Sequence, residues 1–185
     1  MNYSLIQKII GMMVLVFAII LIIPLGVSLS YNDGNTFSFI YSFVIIFLSG
    51  SLLFFPNQNN SFDSNIKIKE GFLIVVLFWV LLSFFGSFPF MFDINLSMSF
   101  EDAFFESVSG WTTTGATIIS SLDDLSPSIL IYRQLLQWLG GMGIITLAIA
   151  LFPAMGVGGY QMFRGEMPGP SADRLRPRLA ESVKV

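Results

Sequence analysis

Apolar positions along the chain gather into four long runs separated by short polar segments, with one short run between the third and fourth. Leu5 to Leu29 is apolar apart from Gln7, Lys8 and Ser28. As a helix rising about 1.5 Å per residue, it is long enough to cross a hydrocarbon core of roughly 30 Å. A cleaved leader would have an apolar region of only about 7–15 residues followed by a small-residue cleavage site. Tyr31-Asn32-Asp33-Gly34 follows instead and reads as a turn, so a retained span is expected, kinked by Pro24. Phe37–Phe55 is the second expected span, closed by Pro56 and the polar Asn57-Gln58-Asn59-Asn60-Ser61 loop. Gly71–Phe92 is the third, and Ser128–Phe152 the fourth, with Pro153 expected to stop it. None shows the two-residue alternation of a barrel strand, so the pattern predicts an all-α integral membrane protein.

Composition sharpens this reading. Of the 185 residues, 54% are hydrophobic and 11% charged, whereas soluble domains carry about 25% charge. Cysteine and histidine are both absent, which removes disulfides, thiolate metal sites and the usual general base. An enzyme is therefore not expected, and with a net charge of −3 and no basic patch, neither is a nucleic-acid partner. The segments 30–36 and 93–127 contain no lysine or arginine. Lys8, Lys67, Lys69, Arg164, Arg174, Arg176, Arg178 and Lys184 fall on the opposite side, so the charge rule places both termini in the cytoplasm. Asp33, Asp93, Glu101, Asp102, Glu106, Asp123 and Asp124 then face outward, where they could draw cations or simply be solvated and cap helices.

The short run, Ser99 to Trp111, would reach only about 20 Å as a helix and cannot cross. Ser99 with Asp102 three residues on has the form of a capping box, and Glu101 and Asp102 suit a helix N-terminus. Beyond it comes Gly110-Trp111-Thr112-Thr113-Thr114-Gly115-Ala116-Thr117, small and rich in hydroxyls. A half-length helix returning as extended backbone predicts a re-entrant loop, with a surface-lying amphipathic helix as the alternative. Thr112 to Gly115 offers consecutive carbonyls, hydroxyl oxygens and a glycine able to adopt backbone angles other residues resist. Such oxygens can replace the water of a dehydrated cation, and the negative end of the preceding helix dipole favours one.

Phe104-Phe105-Glu106-Ser107-Val108-Ser109-Gly110-Trp111-Thr112-Thr113-Thr114-Gly115-Ala116-Thr117 resembles the first pore loop of Trk/Ktr-type (TrkH-like) potassium uptake proteins. Tyr132-Arg133-Gln134-Leu135-Leu136-Gln137-Trp138-Leu139-Gly140-Gly141-Met142-Gly143 resembles the helix that follows it, and Gly71 to Trp79 the helix that precedes it. Gly156-Val157-Gly158-Gly159, Glu166-Met167-Pro168-Gly169-Pro170 and Arg176-Pro177-Arg178 resemble the family's next cytoplasmic connection. The resemblance implies two leading transmembrane helices and a cytoplasmic loop in 1–70. It further implies a first repeat of span, pore loop and span in 71–152, and a connection to a second repeat in 153–185. It implies potassium as the transported ion, bound at Thr113, Thr114, Gly115 and Ala116, chiefly Thr113 and Thr114. One repeat supplies one of four selectivity-filter walls, leaving the remaining pore repeats as expected partners. A lipid bilayer, a cytoplasmic nucleotide-binding regulatory subunit and a homodimer of complete subunits are implied too, in an inner or plasma membrane. A non-conducting helical scaffold module is the competing expectation.

Three further features have two readings each. Arg133, near the outer end of span four, could brace the pore loop through its carbonyls or through Glu106, or could snorkel to the headgroups. Gly140, Gly141 and Gly143 could loosen that span or, more commonly, let helices approach closely. Asp123-Asp124 could suggest a metal pair, but neighbours in an exposed loop diverge, so solvation is expected.

Overall fold

A computed structural model describes residues 3–57, 68–122 and 124–154, with side chains placed as far as Ile145. Its elements are α1 (Tyr3–Ile20), α2 (Ile22–Tyr31), α3 (Thr36–Phe54), a 3₁₀ turn (Phe55–Asn57), α4 (Ile68–Gly86), α5 (Phe88–Phe92), α6 (Phe100–Trp111) and α7 (Pro127–Ala154). The described residues are helical and connecting, without strands. Met1–Ile144 forms one compact unit, and of the second, 145–185, only residues 145–154 are described. The expected connection 153–185, beyond Pro153 and Ala154, lies outside the described residues, as do residues 58–67 and Asp123.

Among the described residues, three apolar segments are long enough to span a bilayer: Tyr3–Tyr31, Thr36–Asn57 and Lys69–Phe92. Proline divides two of them. Pro24 has no N–H for the Ile20 carbonyl, and the first span breaks at Leu21, whose own N–H is shared between Phe17 (3.3 Å) and Ala18 (3.1 Å). Pro89 likewise cannot serve the Phe85 carbonyl, and the helix breaks at Ser87. There the Ser87 hydroxyl and N–H both donate to Phe84, at 2.6 and 3.2 Å. The expected fourth span is α7, a 28-residue helix whose side chains are described only as far as Ile145; its first turns carry Arg133, Gln134 and Gln137. Pro153 does not stop α7 at Phe152 as expected, because the helix runs through it to Ala154.

Glycine decides how closely these helices approach. α1 lies on α3, where a Cβ on Gly11 would come within 2.7 Å of the Phe54 nitrogen and one on Gly50 within 3.0 Å of Leu15. The half-length α6 sits in a notch between α4 and α7. A Cβ on Gly86 would strike the Ser107 hydroxyl, one on Gly110 would lie 2.9 Å from Leu136, and one on Gly140 would collide with the Trp111 carbonyl. Gly140 therefore serves close packing, the commoner of its two expected roles. Aromatic rings lock the notch to the leading helices. Trp111 meets Phe17 of α1 edge-on at 5.4 Å and Phe78 of α4 at 5.8 Å, while Tyr132 meets Phe39 of α3 and Phe90 of α5. The Tyr132 hydroxyl donates to the Gly86 carbonyl at 2.7 Å, taking an acceptor that the helix break had released.

The two segments without lysine or arginine come together at one end of the unit. Asn35 Nδ2 donates to the Ser126 hydroxyl at 2.6 Å, and the Ser128 N–H donates to Asp33 Oδ2 at 3.1 Å. Burial acts to raise the Asp33 pKa, but hydrogen bonds from Ser128, from Ser28 and from the Asn35 backbone outweigh it and hold the carboxyl below its ordinary range. Of the acids expected on the outer side, Asp93 is also structural: its Oδ1 accepts from the N–H groups of Asn95 (2.7 Å) and Leu96 (2.8 Å).

The notch makes a prediction. Gly140→Ala should destabilise the detergent-solubilised protein by about 1–3 kcal/mol, the usual cost of overpacking. Gly26→Ala should be neutral or slightly stabilising, since nothing lies within 4 Å of its added methyl. Thermal melting followed by size-exclusion chromatography measures both; equal melting temperatures for the two variants would remove the notch as a constraint.

Candidate functional site

The site is built from the C-terminus of α6 and the chain that returns from it. Ser99 caps α6, its hydroxyl accepting from the Asp102 N–H at 3.2 Å, with Glu101 and Asp102 in the first turn. One face of the helix, Ala103, Glu106, Ser107 and Gly110, follows the i, i+3, i+4, i+7 pattern and is buried.

The helix closes on Thr112 with a tight C-terminal motif. The Thr113 N–H donates to the Gly110 carbonyl (3.0 Å) and the Thr114 N–H to the Ser109 carbonyl (3.1 Å), the two bonds of a Schellman cap. That cap needs a left-handed residue, usually glycine, and here it is Thr113, at φ 56°. A β-branched side chain there is a strained arrangement of the sort found at functional positions. Gly115, two residues on, has φ 74°. In a trans peptide the N–H and the preceding carbonyl point in opposite directions. With the N–H groups of Thr113 and Thr114 turned into the helix end, the carbonyls of Thr112 and Thr113 face away from it. Residues 112–118 are exposed, and the Thr112 hydroxyl lies 2.8 Å from that of Thr114.

Two side chains of α6 hold the returning chain. The Ser109 hydroxyl donates to the Ala116 carbonyl at 2.6 Å. Glu106 is the larger anchor: its Oε1 accepts from the Thr117 hydroxyl and, at 2.8 Å, from the Ile118 N–H. Its Oε2 faces Arg133 of α7, with Nε at 3.3 Å and a terminal nitrogen at 3.2 Å. The Glu106 side chain is 1% exposed and the Arg133 side chain 9%, so this is a buried, hydrogen-bonded pair.

The structure thus brings Glu106 and Arg133 together and gathers Thr113, Thr114, Gly115 and Ala116 in one loop. It turns the Ala116 carbonyl toward α6, whereas all four positions were expected to face an ion. Asp124 stands apart, accepting from the Ser121 hydroxyl at 2.7 Å. Sequence reasoning missed Ser109, Thr117 and the Gly86 contact. The Ser109 and Thr117 bonds join α6 to the returning chain across seven and eleven positions, beyond what helical spacing reports. Among the described residues, no group of three or more acidic side chains is placed to hold a metal ion.

The comparisons with known proteins agree with this architecture. The family model TrkH, described as cation transport protein, matches residues 34–185. The Trk system potassium uptake protein TrkH of Escherichia coli (strain K12) is 49% identical over 186 residues, which cover 100% of this chain and 38% of that protein. TrkG of the same strain, also a Trk system potassium uptake protein, is 38% identical over 176 residues, covering 95% of this chain and 36% of that one. The crystal structure of the potassium transporter TrkH from Vibrio parahaemolyticus superposes with a TM-score of 0.81 at 42% identity, covering 100% of this chain and 36% of its own. The chain spans a little over a third of the length of the relatives it matches. This chain belongs to the TrkH family of cation transport proteins.

Proposed function

We propose that this chain supplies one wall of a four-walled potassium pathway within a membrane transport subunit. The carbonyls of Thr113, Thr114 and Gly115 contact the ion, and Ala116 anchors the end of the loop. The observation that carries this reading is the strained turn at Thr113, which directs carbonyls away from α6 while spending the neighbouring N–H groups on the helix end. Potassium is cargo, held by several oxygens that replace its hydration shell. The C-terminal end of α6 adds the negative end of its dipole, and the neighbouring charge of Arg133 is neutralised by Glu106. Glu106 and Arg133 support the loop and do not touch the ion. The proposal places the chain in an inner or plasma membrane, with the loop re-entrant from the outer side and both termini cytoplasmic. The remaining pore repeats, a nucleotide-binding regulatory subunit and a homodimer complete it by family resemblance. The chemistry is transport rather than catalysis.

Three experiments test this reading, each in a full-length subunit that carries these residues. Gly115→Val should lower potassium uptake at least about tenfold at normal membrane abundance, because left-handed backbone costs a β-branched residue on the order of 1–3 kcal/mol. Uptake into potassium-starved cells, normalised by immunoblot, is the measure; wild-type rates and selectivity would remove Gly115 from the site.

Glu106→Gln should cost about 3–5 kcal/mol in thermal stability by leaving Arg133 buried without its counter-charge. The double variant Glu106→Gln, Arg133→Gln should recover part of that stability yet not the potassium preference, because the loop has lost its anchor. Arg133→Lys should rescue only in part, one compact ammonium being unable to reproduce the planar fork. A lysine variant with full activity and selectivity counts against bracing.

The chain has no native cysteine, so in a full-length subunit cleared of any cysteine elsewhere, single substitutions here report topology. An impermeant thiol reagent added outside intact cells should label Ser121→Cys and spare Asn60→Cys. The reverse pattern would invert the proposed orientation.

A further inference from the structure

The N-terminus of α7 is capped by another part of the chain. Pro127 is its first residue and Ser126 its cap position, whose carbonyl accepts the first helical bond, from Leu130 at 3.0 Å. An ordinary serine cap would turn its own hydroxyl onto the second or third helical N–H. Here the Ser126 hydroxyl accepts from Asn35 instead, at 2.6 Å, and the Ser128 N–H is given to Asp33, 95 residues upstream. Both oxygens of Asp33 are engaged. Oδ2 holds Ser128, while Oδ1 accepts from the Ser28 hydroxyl at 2.6 Å and the Asn35 N–H at 3.1 Å. Ser28 and Asn35 are fully buried, so the cap stands on the packed junction of α2 and α3 rather than on a loose turn. A carboxylate at a helix N-terminus also gains from the helix dipole.

Arg133 follows on the same helix, six residues and roughly 9 Å beyond Pro127. A helix transmits an axial shift along its length, so whatever sets the start of α7 sets the height of the guanidinium. Because Glu106 divides its two oxygens between Arg133 and the returning chain at Thr117 and Ile118, that height reaches the loop.

We propose that Asp33, in the turn between the leading helices, is a positioning residue for the ion-coordinating loop. It caps α7 and thereby sets where Arg133 meets Glu106. This rests on reading Thr112–Ala116 as an ion path. It gives the leading helices a part in selectivity.

The test uses Asp33→Ala, Asp33→Asn and Thr36→Ala in the full-length subunit, with potassium and sodium uptake measured for KM and Vmax. The Thr36 hydroxyl lies 3.1 Å from that of Ser28 and does not cap α7, so Thr36→Ala is the control for a disturbed hairpin. Ile118→Cys, introduced alone or with each variant, reports on the returning chain through its rate of thiol labelling; Ile118 is 46% exposed. Asp33→Ala should raise the potassium KM about three- to tenfold, the range of a lost charged cap, and narrow the potassium-to-sodium ratio. It should also speed labelling at position 118. Asp33→Asn, which keeps an acceptor without the charge, should fall between, and Thr36→Ala should match wild type. Wild-type KM, ion ratio and labelling rate in a correctly inserted Asp33→Ala subunit would overturn the proposal. Should that variant fail to insert, an Asp33→Asn subunit with wild-type values overturns it equally. If the unaltered subunit carries no potassium, the transport reading fails, and labelling at position 118 still decides whether Asp33 positions the loop.

Discussion

A carboxylate buried in an apolar helical frame must satisfy both of its oxygens inside the protein, and Glu106 does so by joining three stretches of chain. One oxygen takes Thr117 and Ile118 from the returning loop, and the other takes Arg133 from α7. The ion pair and the loop bonds depend on each other. Without Arg133 the carboxylate would be a costly buried charge, and without Glu106 the guanidinium would be one. This mutual dependence removes the freedom that a seven-residue exposed stretch would otherwise have, because any displacement of the returning chain breaks a charge-assisted bond.

Around this centre, the division of labour follows what each residue type does cheaply. Glycine provides proximity: Gly86, Gly110 and Gly140 let α6 sink between α4 and α7 until the Trp111 carbonyl touches the backbone of α7. Aromatic rings provide area, with Trp111 and Tyr132 each wedged between two other helices. Direction comes from a small set of hydroxyls and carboxyls, at Ser99, Ser109, Glu106 and Asp33. The apolar surface does not end at this unit, since Ile19, Leu52, Trp138 and Ile145 are each more than half exposed. A protein in water would pay heavily for that surface, whereas lipid or neighbouring helices accept it.

Features that depend on near neighbours in sequence were legible from it. The four helical segments, the Ser99 cap, the half-length α6 and the conformational freedom at Gly115 follow from periodicity, capping chemistry and glycine placement. Pairing of Glu106 with Arg133 could be anticipated because buried charges seek partners. What escaped depended on distant backbone. The cap given by Asp33 to Ser128 crosses 95 positions and looks like an ordinary turn residue locally. The left-handed turn fell at Thr113, where propensity argues against it, rather than only at Gly115. The cap geometry overrode preference there because two hydrogen bonds and the packed end of α6 compensate for the strain. The inward Ala116 carbonyl depends on a hydroxyl seven residues earlier, and nothing in the loop's own composition indicates it.

The strained turn also bears on what must surround the loop. A peptide carbonyl turned away from its own helix still needs a partner, and in hydrocarbon an unmet polar group costs several kcal/mol. The bends at Thr113 and Gly115 would therefore be doubly unfavourable against lipid, straining the backbone only to face it toward a medium with no donors. The same bends are favourable beside water or a cation, which supply the missing partner. Strain at Thr113, anchorage at Ser109 and Glu106, and exposure of residues 112–118 are thus consistent with one another only if the loop's open side meets polar surroundings. The apolar faces of α3 and α7 ask for the opposite. A surface divided in this way suits the place proposed for the chain, one sector of a closed ring with lipid outside and a hydrated path at the axis.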